Sequence, residues 1–288
     1  MAVPFPWKPF LALVLTVGSL FGVQEAVLRR SGPSLKSESN FYSSIARLQA
    51  VEEKGINMVA VGSSITGRLP DRWQGFPQLS NAGCDGGSAV EVLRAMDLGL
   101  IPSGKTVIVE ANTLHFGLRG VESEVGRAMR GRWFRIGTAC LNLSAGARPA
   151  GFIYGGLRAA RFGSGASPGE AEGLRVVTRP QILTNDGTKV LDAKSEALVE
   201  ELCGIFDRLE KKGTRVVMVW LPPRRPASVK AELAMVVARR SGVLWWDLGQ
   251  DADPALVTLT DGVHMSPACA KRTVRSLLIG LEVEPLAN

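Results

Sequence analysis

Met58-Val59-Ala60-Val61-Gly62-Ser63-Ser64-Ile65-Thr66 is an apolar run that breaks on a glycine and two serines. A half-exposed strand would alternate apolar and polar residues, so the unbroken apolar run Met58–Val61 predicts a strand over Asn57–Val61 buried on both faces. Ser64 then falls just past the strand's C-terminal end. The same design recurs along the chain. Gln78–Asn81 is a short second strand candidate, Lys105–Glu110 (KTVIVE) a β-branched third, Thr214–Leu221 (TRVVMVWL) a fourth and Val243–Leu248 (VLWWDL) a fifth. Between them lie segments with helical spacing. Phe41–Lys54 carries Phe41, Ile45, Leu48 and Val51 on one side and stops at Gly55; the others are Ala89–Leu100, 192–212, Ser228–Arg240 and Pro267–Leu281. Apolar strands alternating with helices predict an α/β fold whose mostly parallel, five-stranded sheet is covered on both faces. In such sheets ligands bind at the carboxyl ends of the strands. Ser64 and Asn112 both fall there.

At 288 residues the chain is long enough for one good core and a modest insertion. With 45% hydrophobic and 21% charged residues it has the composition of a folded protein rather than a disordered one. The net charge of +7 suits anionic partners, but no nucleic-acid-binding motif accompanies it, which argues against nucleic acid. Pro9–Val23 (PFLALVLTVGSLFGV) is uncharged and is followed by Arg29-Arg30. No Ala-x-Ala pattern follows, so residues 1–30 read as an uncleaved membrane anchor rather than a cleaved signal, with the body outside the cytoplasm. Basic residues flank both sides of the segment and leave its orientation open. Residues 31–40, polar and broken by Gly and Pro, read as a linker into a domain over 41–288. Cys84, Cys140, Cys203 and Cys269 show no metal-ligand spacing. In an exported chain one disulfide is allowed without its pair being fixed. No metal or other cofactor is called for.

The interval from about 113 to 190 interrupts the alternation. It holds Arg119, Arg127, Arg130, Arg132, Arg135, Arg148, Arg158 and Arg161, with Trp133, Phe134, Phe152 and Tyr154 interleaved. It reads either as a solvated insertion whose aromatics pack on the core or as a surface that favours anionic groups near a substrate or a membrane. Gly163–Gly169 (GSGASPG) is a flexible break, and Asn185-Asp186-Gly187 has the composition of a hairpin turn.

Chemistry concentrates in four blocks. The serine block at 62–66 is the first. Asn81-Ala82-Gly83-Cys84-Asp85-Gly86-Gly87-Ser88 follows the second strand, and its glycines let backbone amides approach a developing negative charge. Glu110-Ala111-Asn112-Thr113 follows the third strand, where Asn112 offers a side-chain N–H. Asp261-Gly262-Val263-His264 supplies a carboxylate and one of only two histidines, three residues apart. A serine beside an imidazole that a carboxylate orients is the generalised nucleophilic triad.

In this order the blocks resemble the SGNH (GDSL-type) hydrolase superfamily, over roughly residues 55–280. The resemblance implies a flavodoxin-like, three-layer α/β/α fold, with Ser64 as nucleophile, Asp261 and His264 as acid and base, and an oxyanion hole from Gly86, Asn112 and the Ser64 amide. Two positions depart from the pattern: Ser63 stands where Asp is usual, and Thr113 where Asp commonly follows the Asn. With the anchor, the layout is similar to a divergent, membrane-bound branch that O-acetylates envelope polysaccharides. The expected activity is therefore that of a serine esterase or O-acyltransferase on acyl, above all acetyl, esters of an envelope or extracellular carbohydrate, with a membrane-bound acyltransferase as a partner. The other role considered is a non-catalytic accessory subunit that binds polysaccharide or docks such an acyltransferase. His115, near Asn112, is expected to line the pocket or to serve structure.

Overall fold

The computed structural model describes residues 7–51, 57–120, 122–162, 173–176, 178–184 and 191–282. Strands β1 (Met58–Gly62), β2 (Leu79–Gly83), β3 (Thr106–Glu110), β4 (Gln181–Ile182), β5 (Arg215–Trp220) and β6 (Leu244–Asp247) form one sheet in the order β2-β1-β3-β5-β6-β4. All neighbours are parallel except β4, which runs antiparallel to β6 with Gln181 opposite Trp245. The fold is thus α/β, as the sequence predicts, but its sheet is mixed and six-stranded rather than five-stranded. The physical reason is that β4 is two exposed residues with no apolar run to announce it. It covers the outer backbone edge of β6, which would otherwise stand open to pairing.

The helices are α1 (Trp7–Ser31), α2 (Asn40–Gln49), α3 (Ala89–Asp97), α4 (Glu124–Met129), α5 (Arg132–Ala139), α6 (Pro149–Phe162), α7 (Ala193–Lys211), α8 (Val229–Ser241), α9 (Leu248–Asp251) and α10 (Pro267–Glu282). Their starts are chemically marked. Ser39, Ser88, Ser123, Asp192 and Ser228 each accept a hydrogen bond from a backbone N–H of the first turn that has no helical partner. α3 ends at Asp97, short of the expected Leu100, because Gly99 turns the chain at φ +71°. α2 ends at Gln49, and the end expected at Lys54 lies outside the described residues, as do the 163–169 break and the 185–187 turn.

Successive strand residues face opposite sides of the sheet, so each strand feeds two cores. Val59, Val61, Val107, Val109, Val216 and Met218 pack on one side with α2, α3, α7 and α8. Met58, Ala60, Ile108, Val217, Val219 and Trp246 pack on the other with Cys269, Val274 and Leu277 of α10. Residues 32–37, read as a linker, lie against the body: the Ser34 amide donates to the Gly146 carbonyl (2.9 Å) and Lys36 Nζ to the Gly67 carbonyl (3.0 Å).

α1 includes a 22-residue stretch, Trp7–Leu28, long and apolar enough to cross a membrane; a signal sequence meets the same description. Its side chains are exposed from Trp7 to Val23. The next turn docks on the body. Gln24 Nε2 donates to the Ala147 carbonyl (3.0 Å), Asn142 Nδ2 donates to Glu25 Oε2 (2.8 Å), and Leu28 is wholly buried.

Candidate active site

β1 ends at Gly62, and the chain turns at once into a 3₁₀ turn at Thr66–Arg68. Through Val61–Gly67 every residue is buried except Ser64, so the turn presents one hydroxyl to the surface. Gly62 is required there, because a Cβ would collide with Thr66 Oγ1 and the Glu110 carboxylate. At the far end of the chain, Leu259 and Met265 pair across a tight antiparallel turn that contains Gly262 at φ +79°. Asp261 closes this turn: its Oδ1 accepts from the amides of Val263 (3.1 Å) and His264 (2.8 Å). Its Oδ2 lies 2.7 Å from His264 Nδ1, and His264 Nε2 lies 2.9 Å from Ser64 Oγ. The three residues thus form one hydrogen-bonded line from carboxylate to imidazole to hydroxyl.

The bonds from the His264 amide, the His264 ring and the Val263 amide hold the Asp261 carboxyl well below the usual carboxylate range. It is therefore ionised at neutral pH. Its side chain is 52% exposed, so it works through geometry rather than through a buried charge. An ionised Asp261 facing Nδ1 favours the tautomer with its proton on Nδ1, which leaves Nε2 as an acceptor for the Ser64 hydroxyl.

The oxyanion candidates divide. Gly86 sits in the turn after β2, exposed, at φ +78°, with open space where a side chain would be. Asn112, after β3, is engaged on both sides of its amide: Nδ2 donates to the Leu221 carbonyl (2.8 Å) and Oδ1 accepts from the Leu221 amide (2.9 Å). This pair ties the ends of β3 and β5 together and leaves Asn112 one side-chain N–H. His115 is half-buried, edge-on to Phe116, with a buried Nδ1 that has no partner among the described residues. Burial first, then Lys230 and Arg119, lower its pKa. It makes no hydrogen bond to the Ser64–His264 line among the described residues.

Sequence reasoning missed the group that holds the site together. Glu110, last residue of β3, is buried, and its carboxylate accepts from the Ser63 amide (2.8 Å), Ser63 Oγ (2.7 Å), the Thr66 amide (3.0 Å), Thr66 Oγ1 (2.7 Å) and Thr113 Oγ1 (2.8 Å). Ser63 and Thr113, the two departures from the SGNH pattern, both spend their hydroxyls on this one carboxylate. The available signal was a lone acid closing an otherwise apolar strand. Arg47 of α2, also buried, braces the second block through Nε to the Gly83 carbonyl (2.8 Å) and Nη2 to Asp85 Oδ2 (2.9 Å). Asn81 Nδ2 reaches the carbonyls of Thr66 (2.8 Å) and Leu69 (2.6 Å), so the β1 and β2 turns form one unit.

The four cysteines are all free, so no disulfide forms among them, and burial pushes the Cys84 thiol up to about 12. Among the described residues no set of three His, Cys, Asp or Glu side chains gathers to hold a metal. Compared with protein-family models, curated proteins and solved structures, the chain matches none of them.

Proposed function

We propose that this chain is an SGNH-type serine esterase or O-acyltransferase acting on acyl esters of an envelope or extracellular carbohydrate, anchored by α1 with its body outside the cytoplasm. The observation that carries the reading is the line Asp261 Oδ2–His264 Nδ1 (2.7 Å) and His264 Nε2–Ser64 Oγ (2.9 Å). Both distances are in the range proton transfer requires. The strand order adds support. Without the short β4, the parallel strands follow the second-first-third-fourth-fifth order of a flavodoxin-like sheet, with Ser64 at the carboxyl end of its first strand.

In the reaction, His264 Nε2 takes the Ser64 proton as Oγ attacks the acyl carbonyl. The carbonyl oxygen becomes an oxyanion, which the Ser64 and Gly86 amides and the remaining Asn112 N–H would stabilise. Collapse expels the alkoxide leaving group, which takes the proton from His264, and leaves an acyl-Ser64 ester. Water or a sugar hydroxyl, deprotonated by His264, then attacks this ester, and Ser64 Oγ leaves with the proton that His264 returns to it. The contact between Ser64 and His264 favours this reading over a non-catalytic accessory subunit, which has no use for it.

The test is mass spectrometry of the full chain after exposure to a fluorophosphonate and, separately, to p-nitrophenyl acetate. An adduct on Ser64 that is lost in His264→Ala is the expected result. A folded protein with Ser64 unmodified by either reagent would overturn the enzyme reading.

A further inference from the structure

The exposed part of α1 is at the short end of what spans a bilayer. Trp7–Val23 covers about 26 Å at 1.5 Å per residue, against a hydrocarbon core of about 30 Å. The next turn is already committed to the body through Gln24, Glu25 and Leu28. A helix that spans with that turn docked brings its docking site, the 3₁₀ turns Leu141–Leu143 and Ala145–Ala147, to the membrane boundary. α5 packs on the first of these turns beside α1, and α6 packs on the second.

Those neighbours carry apolar side chains that the body leaves uncovered. Leu143 is exposed beside the docking contact, Trp133 and Ile136 share one side of α5, and Ile153 and Leu157 share one side of α6. Arg127, Arg132 and Arg135 are exposed on α4 and α5, and none of them is ion-paired among the described residues. Apolar and aromatic residues flanked by cations are the composition of a surface that rests in a lipid headgroup layer. We propose that α5, α6 and the Leu141–Leu143 turn form a second membrane contact, seated on the anionic bilayer that α1 crosses, so that the body lies against the membrane instead of swinging from a tether. The inference rests on the membrane insertion of α1 proposed above and is independent of the serine chemistry.

The test uses the full chain reconstituted in phosphatidylglycerol–phosphatidylcholine bilayers doped with a diazirine-bearing phosphatidylglycerol, irradiated and mapped by mass spectrometry. Lipid adducts are expected on α1 and within residues 132–157, while the exposed apolar residues Leu98 and Ile279 stay unlabelled. The double substitution Arg132→Glu and Arg135→Glu should reduce the 132–157 adducts by about tenfold or more relative to those on α1. Adducts on α1 with none on 132–157 would overturn the proposal, as would cross-links from 132–157 to a second copy of the chain in their place. Absence of adducts on α1 would overturn both this contact and the insertion it rests on.

Discussion

Glu110 shows how one side chain sets the terms for its neighbours. Its carboxylate is buried and accepts from three residues, so the loop that presents Ser64 is fixed from inside the protein. Glu110→Gln replaces one acceptor oxygen with an NH₂ that faces donors, which should cost about 2–3 kcal/mol of stability, read from thermal or denaturant unfolding. It should also slow fluorophosphonate labelling of Ser64. Ser63→Asp restores the residue usual in the resembled family, yet here it buries a second carboxylate against Glu110. It should destabilise more than Glu110→Gln, and the double variant Ser63→Asp with Glu110→Gln should recover part of the loss, a non-additivity visible in a mutant cycle. If the two substitutions simply add, the shared-carboxylate account is wrong. Asp71 offers a pH prediction. Burial raises its pKa from 3.8 to about 6, against the smaller opposing effects of the Trp73 amide and of Arg72, Arg47 and Lys36. The folded state thus favours the protonated acid, a contribution present at low pH and lost as pH rises through about 6. Asp71→Asn has no proton to lose, so its melting temperature should gain on the wild type between pH 4 and pH 7. An equal difference at both pH values would refute this.

The elements divide by how their signals are written. β1, β3, β5 and β6 were legible because three or more contiguous apolar residues, bounded by turn signals, have no other home than a doubly covered sheet. α7 was legible because Leu198, Leu202, Ile205 and Leu209 recur on one face, and Leu202→Ala should cost about 2–5 kcal/mol by chemical denaturation. Its cap makes a second, smaller prediction: Asp192→Ala should cost about 1 kcal/mol in the same measurement. β4 was illegible because two exposed residues acquire strand geometry only from the edge they meet. The site divides in the same way. Ser64, Asp261 and His264 could be read because each stands in a short local block. Glu110 and Arg47 could not, since their roles depend on burial and on partners 36 to 47 residues away. Asn112 was read as an oxyanion donor from its block alone, and its engagement with Leu221, 109 positions on, lies beyond any local pattern.

On the scale of the whole molecule, α1 is part of the body as well as its extension. Leu28 is wholly buried and Gln24 and Glu25 are bonded to the insertion, so a cut at Ser31 opens an apolar slot. A version beginning at Gln24 should be more stable than one beginning at Ser31 by about 1.5–3 kcal/mol, the worth of burying one leucine, as measured by their unfolding midpoints. Equal midpoints would mean that the docking seen at Leu28 carries no weight.

The partners of the central contact stand 200 positions apart, one on the first strand's exit and one just before the last helix. A polypeptide made from its N-terminus shows its serine early and receives its imidazole 200 residues later. A product that stops between residues 64 and 264, whether from an interrupted ribosome, a premature stop codon or clipping, keeps the hydroxyl and lacks the imidazole. The pairing of Ser64 with His264 therefore closes only in a chain made past residue 264 and threaded into shape.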